Sequence, residues 1–356
     1  VVSVVTATGH RMAQRIIPEA DGHIFFPFDL PVITERIVNI VNPKAIILIE
    51  TELWPNFLRL AWRKKIPVMM MNGRISGRSM RRYSLIKRFT TRMLLQIRKF
   101  CMQSKIDRER IISMGAIPKR VVITGNTKYD QTYAEVSEEE RAKLRREFRF
   151  EGKGPIIVAG STHGGEEEIV VRTFGKVLEK YPDARLLLAV REITRAASVR
   201  FMIKHQGYTV LRRSKMGTDE DDGKDAQIVI LDTIGELGRL YSLADVVFVG
   251  GSFVKVGGHN ILEPAAHGKP VLVGPYMFNF QEIFELLSQR GVCIMTPDEK
   301  SFETTLLDLL GNPEKMKKMG EAALEVVHEN QGATERNIAS FEELVKEYGI
   351  KLRENA

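Results

Sequence analysis

Only two cysteines, Cys101 and Cys293, occur in the 356 residues. Two thiols cannot build a disulfide framework, and so small a number suits a reducing, cytoplasmic setting. No run approaches the roughly 18 apolar residues a membrane span needs, and no secretory leader pattern is visible. The chain has no G-x-G-x-x-G and no G-x-x-x-x-G-K-[ST], so dinucleotide oxidoreductase and P-loop readings lose their main support. Cys and His spacing offers no zinc site, and His259 with Glu263 is not an H-E-x-x-H pair, so no metal is expected. Acids are nearly absent from one segment. Between Arg74 and Arg120 there are 14 Lys or Arg against two acids, Asp107 and Glu109, a net +12. The whole chain totals +8, so the remainder is net negative. Charge this concentrated points to a local anionic partner.

What is present is an ordinary globular composition, 44% hydrophobic and 28% charged, in a chain long enough for two domains. Short apolar runs at Val1–Thr8, His23–Phe28, Ala45–Glu50, Ile66–Asn72, Phe100–Ser104 and Val121–Gly125 alternate with segments of helical spacing. The second half repeats this at Pro155–Gly160, Ala184–Val190, Tyr208–Leu211, Ile228–Leu231, Val246–Gly250, Pro270–Gly274 and Val292–Met295. Alternation of this kind predicts parallel sheets flanked by helices, an α/β architecture of two doubly wound, Rossmann-like domains facing a cleft. Expected boundaries are a first domain over 1–136, a charged linking helix over 137–153, a second domain over 154–330 and a terminal helix over 331–356. "RRSKMGTDEDDGKD" (212–225) reads as a polar surface loop without function. The chain opens on Val1 inside a strand-like run, which predicts a missing start.

Open parallel sheets bind ligands beyond the carboxyl ends of their strands. At such an end "VAGSTHGGEEE" (158–168) offers small residues and a helix start suited to an anion. The plainer reading makes Ser161 and Thr162 helix caps, with Glu166–Glu168 complementing the helix dipole. "GGHNILEPAAHGKPVLVGP" (257–275) places Gly257 and Gly258 for backbone access, Asn260 at a helix start, Glu263 on its first turn and Gly268 at its end. A carboxylate so placed can accept both hydroxyls of a ribose, or can simply answer the helix dipole. His267 reads as structural. In "IETELWPN" (49–56), strand alternation puts Glu50 and Glu52 on one face beside Trp54, where like charges raise a pKa. The plainer reading has one of them cap the next helix. "GNTKYD" (125–130) adds Lys128 after another strand end.

Taken in order, "ETELWPN", "GNTKYD", "AGSTHGGEE", "DTIGEL" (232–237), "FVGGSFVKVGGHNILEPAAHGKPVLVGP" and "NQGA" (330–333) resemble the 3-deoxy-D-manno-octulosonic acid (Kdo) transferases of lipopolysaccharide synthesis. The resemblance covers essentially the whole chain. It implies a GT-B fold and transfer of Kdo from CMP-Kdo to a lipid A precursor (lipid IVA). By the same resemblance the reaction would be inverting, would run on the cytoplasmic face of the inner membrane, and would need neither metal nor cofactor. By motif, Asn260, Ile261, Leu262 and Glu263 would bind CMP, with Glu263 on the ribose. Ile234, Gly235 and Glu236 would line the same pocket, joined by Ser161, Thr162, Gly251 and Ser252. Val190 and Arg191 stand where the family reads Pro-Arg-His; here the text is "AVRE", so the arginine matches and its neighbours depart. Glu50 and Lys128 match two residues assigned to transition-state stabilisation. The family's general base, a Glu in an "S-x-G-E" loop, and any membrane anchor would lie before Val1.

"RRYSLIKRFTTRMLLQIRKF" (81–100) spaces Leu85, Ile86, Phe89, Met93, Leu94, Ile97 and Phe100 as one helical stripe, with Arg81, Arg88, Arg92 and Lys99 off its centre. This predicts an amphipathic helix for an anionic membrane surface or lipid A phosphates, with no nucleic-acid partner. An ordinary helix packed on the sheet fits the same spacing. Two further readings stay open: another GT-B enzyme using UDP-sugars, transferase or epimerase, and a non-catalytic membrane-surface binder.

Overall fold

The computed structural model describes residues 1–131, 136–152, 154–218 and 225–351. Part of the polar loop expected over 212–225, residues 219–224, lies outside the described residues, as does Lys153. The chain divides into two compact units, Val1–Asp130 with Asn330–Ala356, and Gln131–Glu329.

The first unit opens with β1 (Val2–Val4), α1 (Ala7–Ile16), β2 (His23–Phe25) and α2 (Pro31–Val41). It continues through β3 (Ile46–Ile49), α3 (Pro55–Arg63), β4 (Val68–Gly73), α4 (Gly77–Ser84) and α5 (Lys87–Leu94). β5 (Lys99–Met102), α6 (Lys105–Ser113) and β6 (Val121–Ile123) follow. All six expected strands form, but in two sheets: a parallel β1–β2 pair and a parallel sheet in the order β3-β4-β5-β6. β1 and β2 are only three residues each, and no ladder joins them to β3 among the described residues. β3 therefore buries Ile46 and Leu48 while Ile47 and Ile49 stand 41% and 56% exposed.

The single helix expected over 81–100 is broken. α4 and α5 are separate short helices, and Lys99 and Phe100 belong to β5. Phe100, Cys101 and Met102 are wholly buried between neighbouring strands, so pairing on both edges outweighs a stripe that a helix would bury on one face. α3 starts with Pro at its first position, and the Asp29 carboxylate accepts the Asn56 and Phe57 N–H groups at 2.9 and 2.8 Å. Neither Glu50 nor Glu52 caps it.

The second unit holds α7 (Glu138–Glu147), β7 (Ile156–Thr162), α8 (Glu166–Lys180), β8 (Arg185–Val190), α9 (Ala196–His205) and β9 (Val210–Arg212). Then come β10 (Ile228–Leu231), α10 (Leu237–Leu240), β11 (Val246–Val249), α11 (Leu262–Ala266) and β12 (Val271–Val273). α12 (Gln281–Gln289), β13 (Cys293–Met295), α13 (Glu299–Leu310) and α14 (Pro313–Asn330) complete it. All seven expected strands pair in parallel, in the order β13-β12-β11-β7-β8-β10-β9. The middle strands read as continuous apolar runs because helices cover both faces. Ile157, Leu186, Leu188, Ile230 and Phe248 pack with Phe174 of α8 and Phe302 of α13.

The last helix, α15 (Ala333–Glu347), returns to the first unit. Its Leu344 packs with Met69 and Cys101 on the four-stranded sheet. Asp130 caps it from 200 positions away, its carboxylate accepting the Gly332, Ala333 and Thr334 N–H groups at 2.7, 3.3 and 2.5 Å. "GNTKYD" and "NQGA" are thus two halves of one junction.

Candidate functional site

In the seven-stranded sheet the chain leaves β7 to build β8, β10 and β9 on one side, then crosses to build β11, β12 and β13 on the other. The β7/β11 boundary is a topological switch point, where loops diverge and leave a crevice beyond the strand ends. Both glycine-rich corners, 160–165 and 250–258, open there.

One carboxylate ties the two corners together. Glu166, fully buried at the start of α8, accepts the N–H groups of His163 (2.9 Å), Gly251 (2.7 Å), Ser252 (3.0 Å) and Phe253 (2.8 Å). This alters the reading of several candidates. The Gly251 and Ser252 amides are already occupied by a protein anion. Ser252 is wholly buried; its hydroxyl donates to the Val249 carbonyl and accepts the Gly274 N–H. It is a brace and does not face a ligand. Ser161 and Thr162 finish β7 and cap nothing, since Gly165 in a left-handed conformation begins α8 without a side-chain cap. Thr162 turns inward and donates to the Ala189 carbonyl at 3.4 Å, whereas Ser161 stays half-buried at the strand end.

Above this brace two imidazoles meet, Nε2 of His163 and Nε2 of His259 lying 2.8 Å apart. The exposed Arg191, at the end of β8, adds its charge nearby. Burial first, then His163 and Arg191, pushes the His259 pKa down to about 4. Val190 beside Arg191 is a core residue.

On the β11 side, Gly257 and Gly258 have positive φ of 106° and 78°, and a Cβ on either would collide with Asn279 or Met277. Positive φ and packing against the 276–279 segment are enough to call for glycine at both positions. The Asn260 Oδ1 accepts the Leu262 N–H, and its Nδ2 donates to Glu263 Oε1, both at 3.1 Å. Glu263 is thereby aimed before any ligand is present. Burial raises its pKa, and the Asn260 hydrogen bond pulls the other way. Ile261 and Leu262 bury their side chains completely, which leaves only their backbone to meet a ligand. Tyr241 lies buried beside this cluster, its phenol pushed up by burial and then by the Glu263 charge. His267 donates Nε2–H to the Gly238 carbonyl at 2.8 Å, a structural role as expected.

The "DTIGEL" loop stands on ion pairs. Asp232 accepts from Arg212 (2.7 Å) and from the Ser214 backbone and hydroxyl (2.8 and 2.6 Å). Burial alone would raise its pKa, but these donors hold it below the usual carboxylate range. Glu236 behaves likewise, with Arg213, Thr233 and Arg239 outweighing burial. Gly235 has φ 92°, and Ile234 at 87% exposure projects its apolar side chain into solvent.

In the first unit, Glu50 sits just past β3 with a left-handed φ of 62°, so strand alternation does not align it with Glu52. Glu52 instead accepts the Trp54 indole N–H at 2.7 Å, and Trp54 stacks on Phe26. Lys128 is half-buried on a turn fixed at several points. Asn126 Oδ1 accepts the Lys128 N–H, and Asn72 Oδ1 accepts the Thr127 N–H. Arg81, Arg88 and Arg92 are exposed near Leu85, Ile86 and Phe89, which are 50% exposed or more. Lys99 departs from this group and forms an ion pair with Glu343. Among the described residues no group of three or more His, Cys, Asp or Glu could hold a metal ion, and no helix is long and apolar enough to cross a membrane.

Comparison with known proteins decides the family. Residues 1–131 match the family described as 3-deoxy-D-manno-octulosonic-acid transferase, and residues 213–326 match glycosyl transferases group 1. The 3-deoxy-D-manno-octulosonic acid transferase of Haemophilus influenzae is 36% identical over 93% of this chain and 77% of its own length. This chain belongs to the Kdo transferase family. The transferase of Bordetella pertussis is 30% identical over 95% of this chain and 79% of its own length. In fold alone, the Kdo transferase chain is similar to Anabaena HepE solved with UDP (TM-score 0.62, 12% identity, 97% of this chain and 91% of that one). A Neisseria meningitidis UDP-GlcNAc 2-epimerase gives TM-score 0.61 at 14% identity, over 97% of this chain and 91% of that one. The fold is GT-B and the protein is a glycosyltransferase.

Reading the sequence alone missed the Glu166 brace and the His163–His259 contact. A His beside glycines in both "STHGG" and "GGHN" was the only hint. Their meeting depends on β7 and β11 being neighbours, which no local pattern encodes.

Proposed function

We propose that this enzyme transfers Kdo from CMP-Kdo to a lipid A precursor at the cytoplasmic face of the inner membrane, with inversion and without metal. The observation that carries the donor site is the pairing of Asn260, just before α11, with Glu263 on its first turn, oriented by hydrogen bonds beside the switch point. Glu263 accepts the ribose hydroxyls. Two hydroxyl donors compensate a carboxylate that burial has left under-solvated, so nucleotide binding relieves a cost already present in the free protein. Arg191 answers the phosphate, and the backbone of Ile261 and Leu262 with Ile234, Gly235 and Glu236 frames the nucleotide.

In the reaction an acceptor hydroxyl attacks the anomeric carbon, giving its proton to a general base, while the sugar C–O bond to phosphate breaks and its electron pair leaves with CMP. Lys128 on its fixed turn, and Glu50, stabilise charge as it develops; a cation already oriented costs little reorganisation. The exposed Arg81, Arg88 and Arg92 with Leu85, Ile86 and Phe89 meet the anionic membrane surface or the acceptor's phosphates.

Calorimetry with CMP and UDP on the wild type and on Glu263→Gln tests the donor site. Wild type binds CMP and not UDP. The variant loses about 1.5–3 kcal/mol of CMP affinity, yet melts slightly higher, because an acid whose folded pKa is raised costs stability above that pKa. A folded variant with unchanged CMP affinity would overturn the assignment.

A further inference from the structure

The His163–His259 contact is left unused by the reading above, and its geometry is unusual. Two Nε2 atoms 2.8 Å apart require that one carry hydrogen and the other a lone pair. In the neutral pair the donating ring therefore has a bare Nδ1, and the accepting ring holds its hydrogen on Nδ1. One added proton goes to the bare Nδ1. It makes the donating ring an imidazolium without breaking the Nε2 contact, and then both rings present N–H outward. The pair is a unit able to store one charge.

Its position is also fixed. His163 follows β7 and His259 follows β11, so the contact bridges the two strands of the switch point. The Glu166 carboxylate holds the His163 backbone N–H from below. The His259 ring lies over Gly251, where a Cβ would stand 3.0 Å from it. Other charges near the pair are Arg191 from the end of β8 and the Arg195–Glu167 ion pair beside Gly164, while Lys255 and Glu263 flank His259 in sequence and engage the Tyr276 ring and Asn260. Glu166 and Glu167 are already matched by backbone N–H groups and by Arg195. Arg191, in contrast, acts on His259 as a like charge.

We propose that the His163–His259 pair takes up one proton when a phosphate anion enters beside Arg191, and that the resulting cation positions and neutralises the phosphate as it departs. In the free protein burial first, then the like charges of His163 and Arg191, push the His259 pKa down to about 4. A bound anion reverses the sign of that environment, and the pair's proton affinity rises. Binding is then linked to proton uptake, so affinity strengthens as pH falls, up to about tenfold per pH unit for one whole proton. The inference rests on the donor-site reading.

The test is calorimetry on the whole chain between pH 6 and 8, with wild type and the double variant His163→Gln/His259→Gln. Each titration is run in two buffers of different ionisation enthalpy, so that proton uptake is counted directly. The probes are CMP and its methyl ester, whose phosphate has no second proton to titrate near pH 6. Wild type takes up protons with both probes, and its affinity rises toward pH 6. The double glutamine variant keeps hydrogen-bonding side chains but has no ring left to become cationic, and binds with no uptake from this pair and a flat pH profile for the methyl ester. Wild type binding the methyl ester with no proton uptake overturns the proposal and leaves the donor site standing, whatever the variant does. A folded double variant that retains the wild-type uptake overturns it equally. Wild type failing to bind CMP at all removes the donor site and this role together.

Discussion

In the second unit a single buried carboxylate gathers four backbone N–H groups at the switch point between β7 and β11. In the first unit β1 and β3 each keep an edge without a partner among the described residues, and Ile47, Ile49, Leu85 and Phe89 face solvent. The contrast separates a corner whose geometry is set before a ligand arrives from a surface whose apolar and cationic groups meet water. Preorganisation at the proposed donor corner would lower the ordering cost of binding a small, charged nucleotide. A broad, shallow contact with lipid headgroups gains from summed charge and apolar area and asks for little fixed geometry.

The sharpest way to break this comparison is to remove the brace. Glu166→Ala strands four donors in a buried site and is expected to cost about 4 kcal/mol or more. Denaturant unfolding should show the second unit's transition moved to lower denaturant, with the first unit's unchanged. An unmoved transition would mean that the loops hold themselves. Next in size is the cationic surface. Reversing Arg81, Arg88 and Arg92 to Glu removes about 1 kcal/mol of attraction per residue at an anionic membrane. Lys99 is left in place, because its ion pair with Glu343 ties it to the fold. Sedimentation with anionic liposomes should fall steeply for the triple variant, while CMP binding stays as in wild type. Equal sedimentation would remove the membrane role. Smallest is Asp130→Ala, which uncaps α15 at a cost of about 1–2 kcal/mol. Here the first unit's transition should move and the second's should not, the mirror image of Glu166→Ala.

Strands were the legible part of this sequence. "IVIL" at 228–231 and "VVFV" at 246–249 are apolar throughout because both their faces are covered, and such runs signal buried parallel strands wherever they occur. The stretch 81–100 misled because its apolar spacing satisfies a helix, while the neighbours that claim Lys99–Met102 for strand lie far off in sequence. Glu263 was readable as an acid on the first turn of a short helix, since that placement is set within a few residues. Long-range contacts were not. Glu166 reads as a dipole-matching acid until β11 is placed beside β7, and Ser252 reads as a pocket residue until its hydroxyl is found between Val249 and Gly274. The Asp29 and Asp130 caps belong to the same class, since each acts on a helix remote in sequence.

The clasp between Asp130 and residues 332–334 has a further meaning for how the chain is made. The first unit's sheet is synthesised early, but the helix that covers Met69 and Cys101 emerges after the whole second unit. At about 5–20 residues per second, the roughly 200 intervening residues hold that sheet open on the ribosome for on the order of 10–40 s. For that interval one face of it is bare apolar surface. A nascent chain of this design would depend on a chaperone, or on the membrane itself, as a temporary cover.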